Sequence, residues 1–294
     1  MMARRVYAPR LLRSALLGRL IMRCGLAHVR ADRFVSRGLE RSRALLQGVL
    51  SESLSTAEQA ALTQRIYALR ETYGPPGLWP WEQAWFERDL PPPPARLLVG
   101  GCGSGRELRA LVQQGYRVDG FEPVASLCAS ARRALPGGAR LWQLGYEELA
   151  RGAAASELGA EAPYGAVILG WGSFSHVIDR RQREHAIRAL DRLCPRGPLL
   201  LSFHAARPGE PTQRRSALEA RVRWMGRGLR ELRGLAPSED RPDGFLPHAG
   251  FIHTCSEDEL RELARCVRRE VRWGDQPRAY GHATFVSEAP HMSR

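Results

Sequence analysis

From about residue 96 onward, short apolar runs alternate with longer stretches of helical period. The apolar runs predict strands over residues 96–100, 117–121, 140–144, 165–170 and 198–204, each followed by a helix or turn signal. A helix capped by Ser256 and Glu259 then leads to two further strands, over 270–273 and 280–286. Strand and helix in strict alternation argue for a mostly parallel sheet covered by helices on both faces.

Ahead of this region the period is helical. Leu11, Leu12, Leu16, Leu17, Leu20 and Ile21 recur at helical spacing with arginines between them, which predicts an amphipathic helix. Ser55 and Glu58 have capping-box spacing at the start of a second helical segment that runs to Tyr73. The stretch GPPGLWPWEQAWFERDLPPPP then breaks the period, with a short aromatic helix inside it. Its Trp79, Trp81, Trp85 and Phe86 are expected to pack the preceding helices onto the sheet, one of them alternatively lining a pocket. The run Pro91 to Pro94 divides a basic helical segment, 1–90, from the domain proper, 91–294.

The chemistry concentrates where the first strand ends, in LLVGGCGSGRE. Gly101, Gly103 and Gly105 allow a sharp turn and a close approach to a ligand, and the next helix presents unpaired N–H groups. The second strand ends in Glu122, 17 residues after Gly105, where a carboxylate can accept hydrogen bonds from both ribose hydroxyls. A dinucleotide site wants Gly-x-Gly-x-x-Gly, and Arg106 occupies that third place.

Gly-x-Gly-x-Gly, followed by an acid at the end of the second strand, resembles the class I S-adenosylmethionine-dependent methyltransferases, and the strand and helix pattern extends the resemblance over residues 96–287. The resemblance implies a Rossmann-like α/β fold, with a mostly parallel seven-stranded sheet whose last strand is antiparallel. An inserted helical lid is expected at 205–255, between the fifth strand and the capped helix. Leu218, Val222, Met225 and Leu229 form a stripe on that helix, and Arg221 and Arg223 are candidates for a substrate carboxylate or phosphate. S-adenosylmethionine is the implied cofactor, held by Gly101, Gly103, Gly105, Glu122, Tyr146 and Trp171. His176 and then His204, at the ends of the fourth and fifth strands, are the candidate catalytic bases, His176 with a purely structural alternative. Trp171 and Ser173 join them as candidates for the pocket wall, and His253 points either way. Glu107, in the first turn of the helix, reads as a partner of the helix dipole rather than a ligand contact.

Two positions depart from the family. Val99 stands where such enzymes usually carry an acid two residues before the first glycine. Gly145, Tyr146 and Glu147 stand where an acid usually meets the adenine amino group, which leaves Tyr146, backbone amides or Glu147 for that contact.

Composition adds constraints. The 294 residues contain no lysine, so all 44 basic residues are arginine, and lysine-based chemistry is excluded. The net charge of +13 lies in two places, +9 over residues 1–43 and +5 over 212–237, so the expected cofactor domain is near neutral. Six cysteines without a C-x-x-C pair read as reduced thiols of a cytoplasmic protein. Arg13, Arg19 and Arg23 interrupt every apolar run near the N-terminus, so no transmembrane segment is expected. The leading expectation is methyl transfer to the oxygen or nitrogen of a small molecule, anionic acceptors included. The alternatives are an RNA or protein methyltransferase that uses the basic N-terminus, and a non-catalytic cofactor-binding protein whose N-terminal helix touches a membrane surface.

Overall fold

The computed structural model describes residues 48–69, 77–135, 139–152, 158–206, 217–236, 242–274 and 280–287, with scattered positions between 22 and 45. The amphipathic stretch at 11–21 and the segment up to Tyr73 that follows residue 69 lie outside the described residues.

The sheet is built from β1 (Arg96–Gly100), β2 (Arg117–Phe121), β3 (Leu141–Trp142), β4 (Ala166–Leu169), β5 (Leu199–Ala205), β9 (Arg269–Trp273) and β10 (Gly281–Ser287). Its order is β3-β2-β1-β4-β5-β10-β9. The pairs from β3 to β5 are parallel, and β10 runs antiparallel between β5 and β9. The expected seven-stranded sheet with an antiparallel last strand is therefore present. β3 is shorter than expected, since only Gly120 and Phe121 of β2 pair with it at the sheet edge.

Alternation along the strands divides the core between two faces. Leu97 and Val99 point into one cluster with Leu108, Leu111, Trp85 and Phe86, and Leu98 points into the other with Ile187, Leu190 and Leu260. The first face is covered by α2 (Pro80–Asp89), α3 (Arg106–Gln113) and α4 (Ala125–Ala134), the second by α5 (Tyr146–Ala150), α6 (Arg180–Leu193) and α8 (Glu257–Arg265). Trp85 and Phe86 are each 2% exposed, so the aromatic cluster packs α2 onto the sheet. Ser55 and Glu58 form their capping box ahead of α1 (Thr56–Ala68).

The insertion after β5 contains α7 (Ala217–Leu232), the hairpin β6 (Gly244–Leu246) and β7 (Gly250–Ile252), and β8 (Thr254–Cys255), which pairs with the end of β5. Its helix lies against residues 48–54. Val222 is buried facing Gly48, Arg223 pairs with Glu52 at 3.1 Å, and Arg230 and Arg233 donate to the Leu54 and Ser53 carbonyls. Met225 and Leu229 stay exposed, so the expected stripe is buried only in part.

Candidate active site

A cavity of about 310 Å³ opens at the carboxyl ends of β1, β2, β4 and β5. Gly101, Gly103, Glu122, Tyr146, Trp171, His176 and His204 all line it. Gly105 does not. It caps α3 at φ 84°, and a Cβ there would stand 3.1 Å from that of Ala131, so this glycine sets the approach of α4 rather than contacting the cavity.

The turn after β1 is held from below. A Cβ on Gly101 would come within 2.6 Å of the Ser173 Cβ. Ser173 Oγ in turn donates to the Gly100 carbonyl at 3.3 Å, and the Tyr146 hydroxyl bonds to it at 2.8 Å. The Tyr146 hydroxyl is thereby committed to the turn, and burial raises its pKa far above the ordinary value. Gly103 differs, since a Cβ there would meet nothing within 4 Å at φ 54°. Its N–H donates to Glu122 Oε2 at 2.8 Å while the Val124 N–H donates to Oε1 at 2.9 Å. Burial pushes the Glu122 carboxyl up to about 7 against the opposing pull of these two amides. Glu147 is half-buried on the same cavity with a raised pKa, burial again being the main cause, while Glu148 closes onto the Gly145 N–H at 2.7 Å.

At the end of β4, Trp171 takes φ 39°, a conformation rare for a bulky side chain and concentrated at functional sites. The Arg106 guanidinium lies 5.0 Å from its ring centroid. Arg106 and Glu107, both lining the cavity, belong to a buried chain with Glu82. Burial, which dominates, raises the Glu107 pKa, and Glu82 adds to this against the pull of Arg106. Glu107 is thus on the cavity wall and not merely beside the helix dipole.

His176, His204, His248, Tyr67, Tyr280 and Gln64 also line the cavity. His176 has both ring nitrogens engaged, Nδ1 with the Phe251 carbonyl and Nε2 with the Tyr67 hydroxyl, each at 2.8 Å. His204 carries no hydrogen bond on either ring nitrogen among the described residues. Its ring lies 4.9 Å from that of Tyr280, and its backbone N–H donates to Ser175 Oγ at 2.9 Å. Burial, with His176 and His248 nearby, lowers its pKa to about 4, so it is neutral at pH 7.

Tyr67 and Gln64 come from α1, and His248 and Ala249 from the turn before β7. The insertion therefore reaches the cavity through 248–249, while the described residues of α7 line none of it. Arg223 is spent on Glu52, and Arg221 is also absent from the wall. His253 lies outside the cavity, clamped between Asp243 at 2.9 Å and Glu259 at 2.7 Å. Cys255 brings a third metal-ligating atom there, but the Arg183 guanidinium already sits on Glu259 at 2.8 Å. Cys102, Cys128, Cys194, Cys255 and Cys266 are free thiols, and no helix among the described residues is long and apolar enough to cross a membrane.

The donor set fits an adenosine sulfonium ligand: an open glycine, an acid at the ribose position, and a cavity large enough for a nucleoside with a side chain. No protein-family model matches the chain, and no curated protein matches it in sequence. Among solved structures, the CcbJ methyltransferase from Streptomyces caelestis is similar at a TM-score of 0.52 and 17% identity, over 80% of this chain and 100% of that one. Magnesium protoporphyrin IX methyltransferase (ChlM) from Synechocystis PCC 6803, with bound S-adenosylmethionine, reaches a TM-score of 0.45 at 14% identity over 89% and 96% of the two chains. Sheet order, the antiparallel last strand and the likeness to CcbJ together establish that the chain has the class I S-adenosylmethionine-dependent methyltransferase fold.

Proposed function

We propose that the protein transfers the methyl group of S-adenosylmethionine to a hydroxyl of a small-molecule acceptor. The observation that carries this reading is that one cavity joins the open Gly103 and Glu122 to the imidazole of His204, which has no hydrogen bond among the described residues. Gly103, Glu122 and Glu147 would hold the nucleoside, Glu122 by accepting from the ribose hydroxyls. When bound there, the cofactor supplies a methyl group on a sulfonium, an electrophile that needs no further activation.

The protein's part is then placement and proton removal. Trp171 and Tyr280, with ring centroids 6.2 Å apart, form an aromatic wall suited to a planar acceptor. As the new O–C bond forms and the S–C bond breaks, the acceptor oxygen becomes strongly acidic, and neutral His204 takes its proton. A base with a pKa near 4 suffices, because the protonated ether it faces is far more acidic. S-adenosylhomocysteine and the methyl ether leave.

A panel of phenols and other hydroxyl compounds, assayed with isotopically labelled S-adenosylmethionine, tests this. Labelled ether formation that collapses in His204→Gln supports it. Transfer confined to amines, or unaffected by His204→Gln, contradicts it.

A further inference from the structure

We infer that Glu107 anchors the methionyl ammonium of the cofactor, as an acid on the cavity wall of a chain that carries valine at position 99. The inference rests on the cofactor reading above and concerns the β4 side of the cavity. Val99 is fully buried in the apolar cluster with Leu97 and Leu108, so nothing at that position can meet a charged group.

The Glu82–Arg106–Glu107 chain supplies the physical reason. Glu82 accepts from both terminal nitrogens of Arg106, at 2.6 and 2.5 Å, and Glu107 accepts from one of them at 2.7 Å. All three side chains are under 10% exposed. One guanidinium cannot neutralise two buried carboxylates, an arrangement that is costly unless a proton or a second cation completes it. Of the two acids, Glu107 lines the cavity and Glu82 does not. Arg106 is the sole other residue, among those described, that hydrogen-bonds the Glu107 carboxylate.

Position agrees with charge. Glu107 Oε1 lies 2.9 Å from where a Cβ would stand on Gly170, which puts the carboxylate at the end of β4 beside Trp171. Glu122 stands at the end of β2, on the other side of β1 from β4. In S-adenosylmethionine the amino-acid chain extends away from the ribose across the sulfonium, so a ribose on Glu122 directs its ammonium toward the β4 side. An ammonium there donates to Glu107 and restores neutrality to the buried chain.

The test is calorimetry with two ligands, S-adenosylhomocysteine, which carries the ammonium, and 5′-methylthioadenosine, which lacks the amino-acid moiety. Glu107→Gln is expected to weaken S-adenosylhomocysteine by about tenfold or more and to leave 5′-methylthioadenosine within about twofold. Equal affinity of variant and wild type for S-adenosylhomocysteine, or an equal loss for both ligands, overturns the inference. On the wild type alone, the deaminated analogue of S-adenosylhomocysteine is expected to bind about tenfold more weakly than the parent, and equal binding again overturns it. Failure of both adenosine ligands to bind the wild type is a different outcome, which removes the cofactor reading itself.

Discussion

The Tyr67 hydroxyl lies 2.8 Å from Nε2 of His176. Because His176 Nδ1 must donate to the Phe251 carbonyl, Nε2 is the acceptor and the tyrosine proton points at it. Burial, the main influence, holds the imidazole below its ordinary pKa, which agrees with a neutral ring. The pair ties α1 to the turn after β4, and Phe251 extends the tie to β7, whose N–H also takes Thr63 Oγ1 at 3.1 Å. Tyr67→Phe leaves Nε2 without its donor and is expected to lower stability by about 1–3 kcal/mol in denaturant titration. A change within about 0.5 kcal/mol would mean that the bond contributes nothing net.

Glu122 sets a pH dependence. Ribose hydroxyls donate to a carboxylate, not to a carboxylic acid's proton, so binding favours the ionised form. With the free carboxyl near 7, affinity for S-adenosylhomocysteine is expected to rise with pH through that value, falling about tenfold one unit below it. Glu122→Gln removes the inflection near 7. An affinity constant between pH 6 and 8 in the wild type contradicts the assignment.

The glycine turn and Glu122 were legible because each is a local motif at the end of a buried strand, and a parallel pair necessarily places such ends side by side. Capping at Ser55 and Ser256 was legible for the same reason, since both partners lie within four residues. Tyr67, Glu107 and His248 were not. Tyr67 reaches His176 across 109 residues, and nothing in its helical period distinguishes it from a packing residue. Glu107 looks like any acid in a first helical turn until Glu82, 24 residues before Arg106, is seen to share that arginine. Sequence shows which strand end His176 and His204 follow and not what their ring nitrogens meet, so the bonds of His176 to Tyr67 and Phe251 were not legible. The arginines of α7 likewise gave no sign that residues 48–54 would absorb them.

Removing Arg106 isolates two buried acids. Arg106→Gln is expected to destabilise the protein by about 3–5 kcal/mol, because Glu82 and Glu107 lose their shared cation. Thermal and denaturant unfolding check this, and a loss below about 1 kcal/mol would show that the chain relaxes into water.

His253 predicts an opposite pH effect, on stability. Burial alone would lower its pKa, yet the carboxylates of Asp243 and Glu259 outweigh this and raise it above the ordinary 6.5. Both nitrogens face acids, with Arg183 also nearby on Glu259, so the charged ring is the bonded form. The stabilisation is therefore full below about 6.5 and is lost as pH rises through the higher folded value. Melting temperature is expected to fall over that window in the wild type and to lose this component in His253→Gln. Identical pH profiles would refute the clamp.

The central claim is a cofactor site at the glycine turn, and calorimetry of S-adenosylmethionine with the wild type and with Gly103→Arg tests it most directly. Saturable binding in the micromolar range, abolished by the arginine because residue 103 faces open cavity at φ 54°, is the result expected. Absence of binding to the folded wild type, or equal binding to the variant, would contradict it.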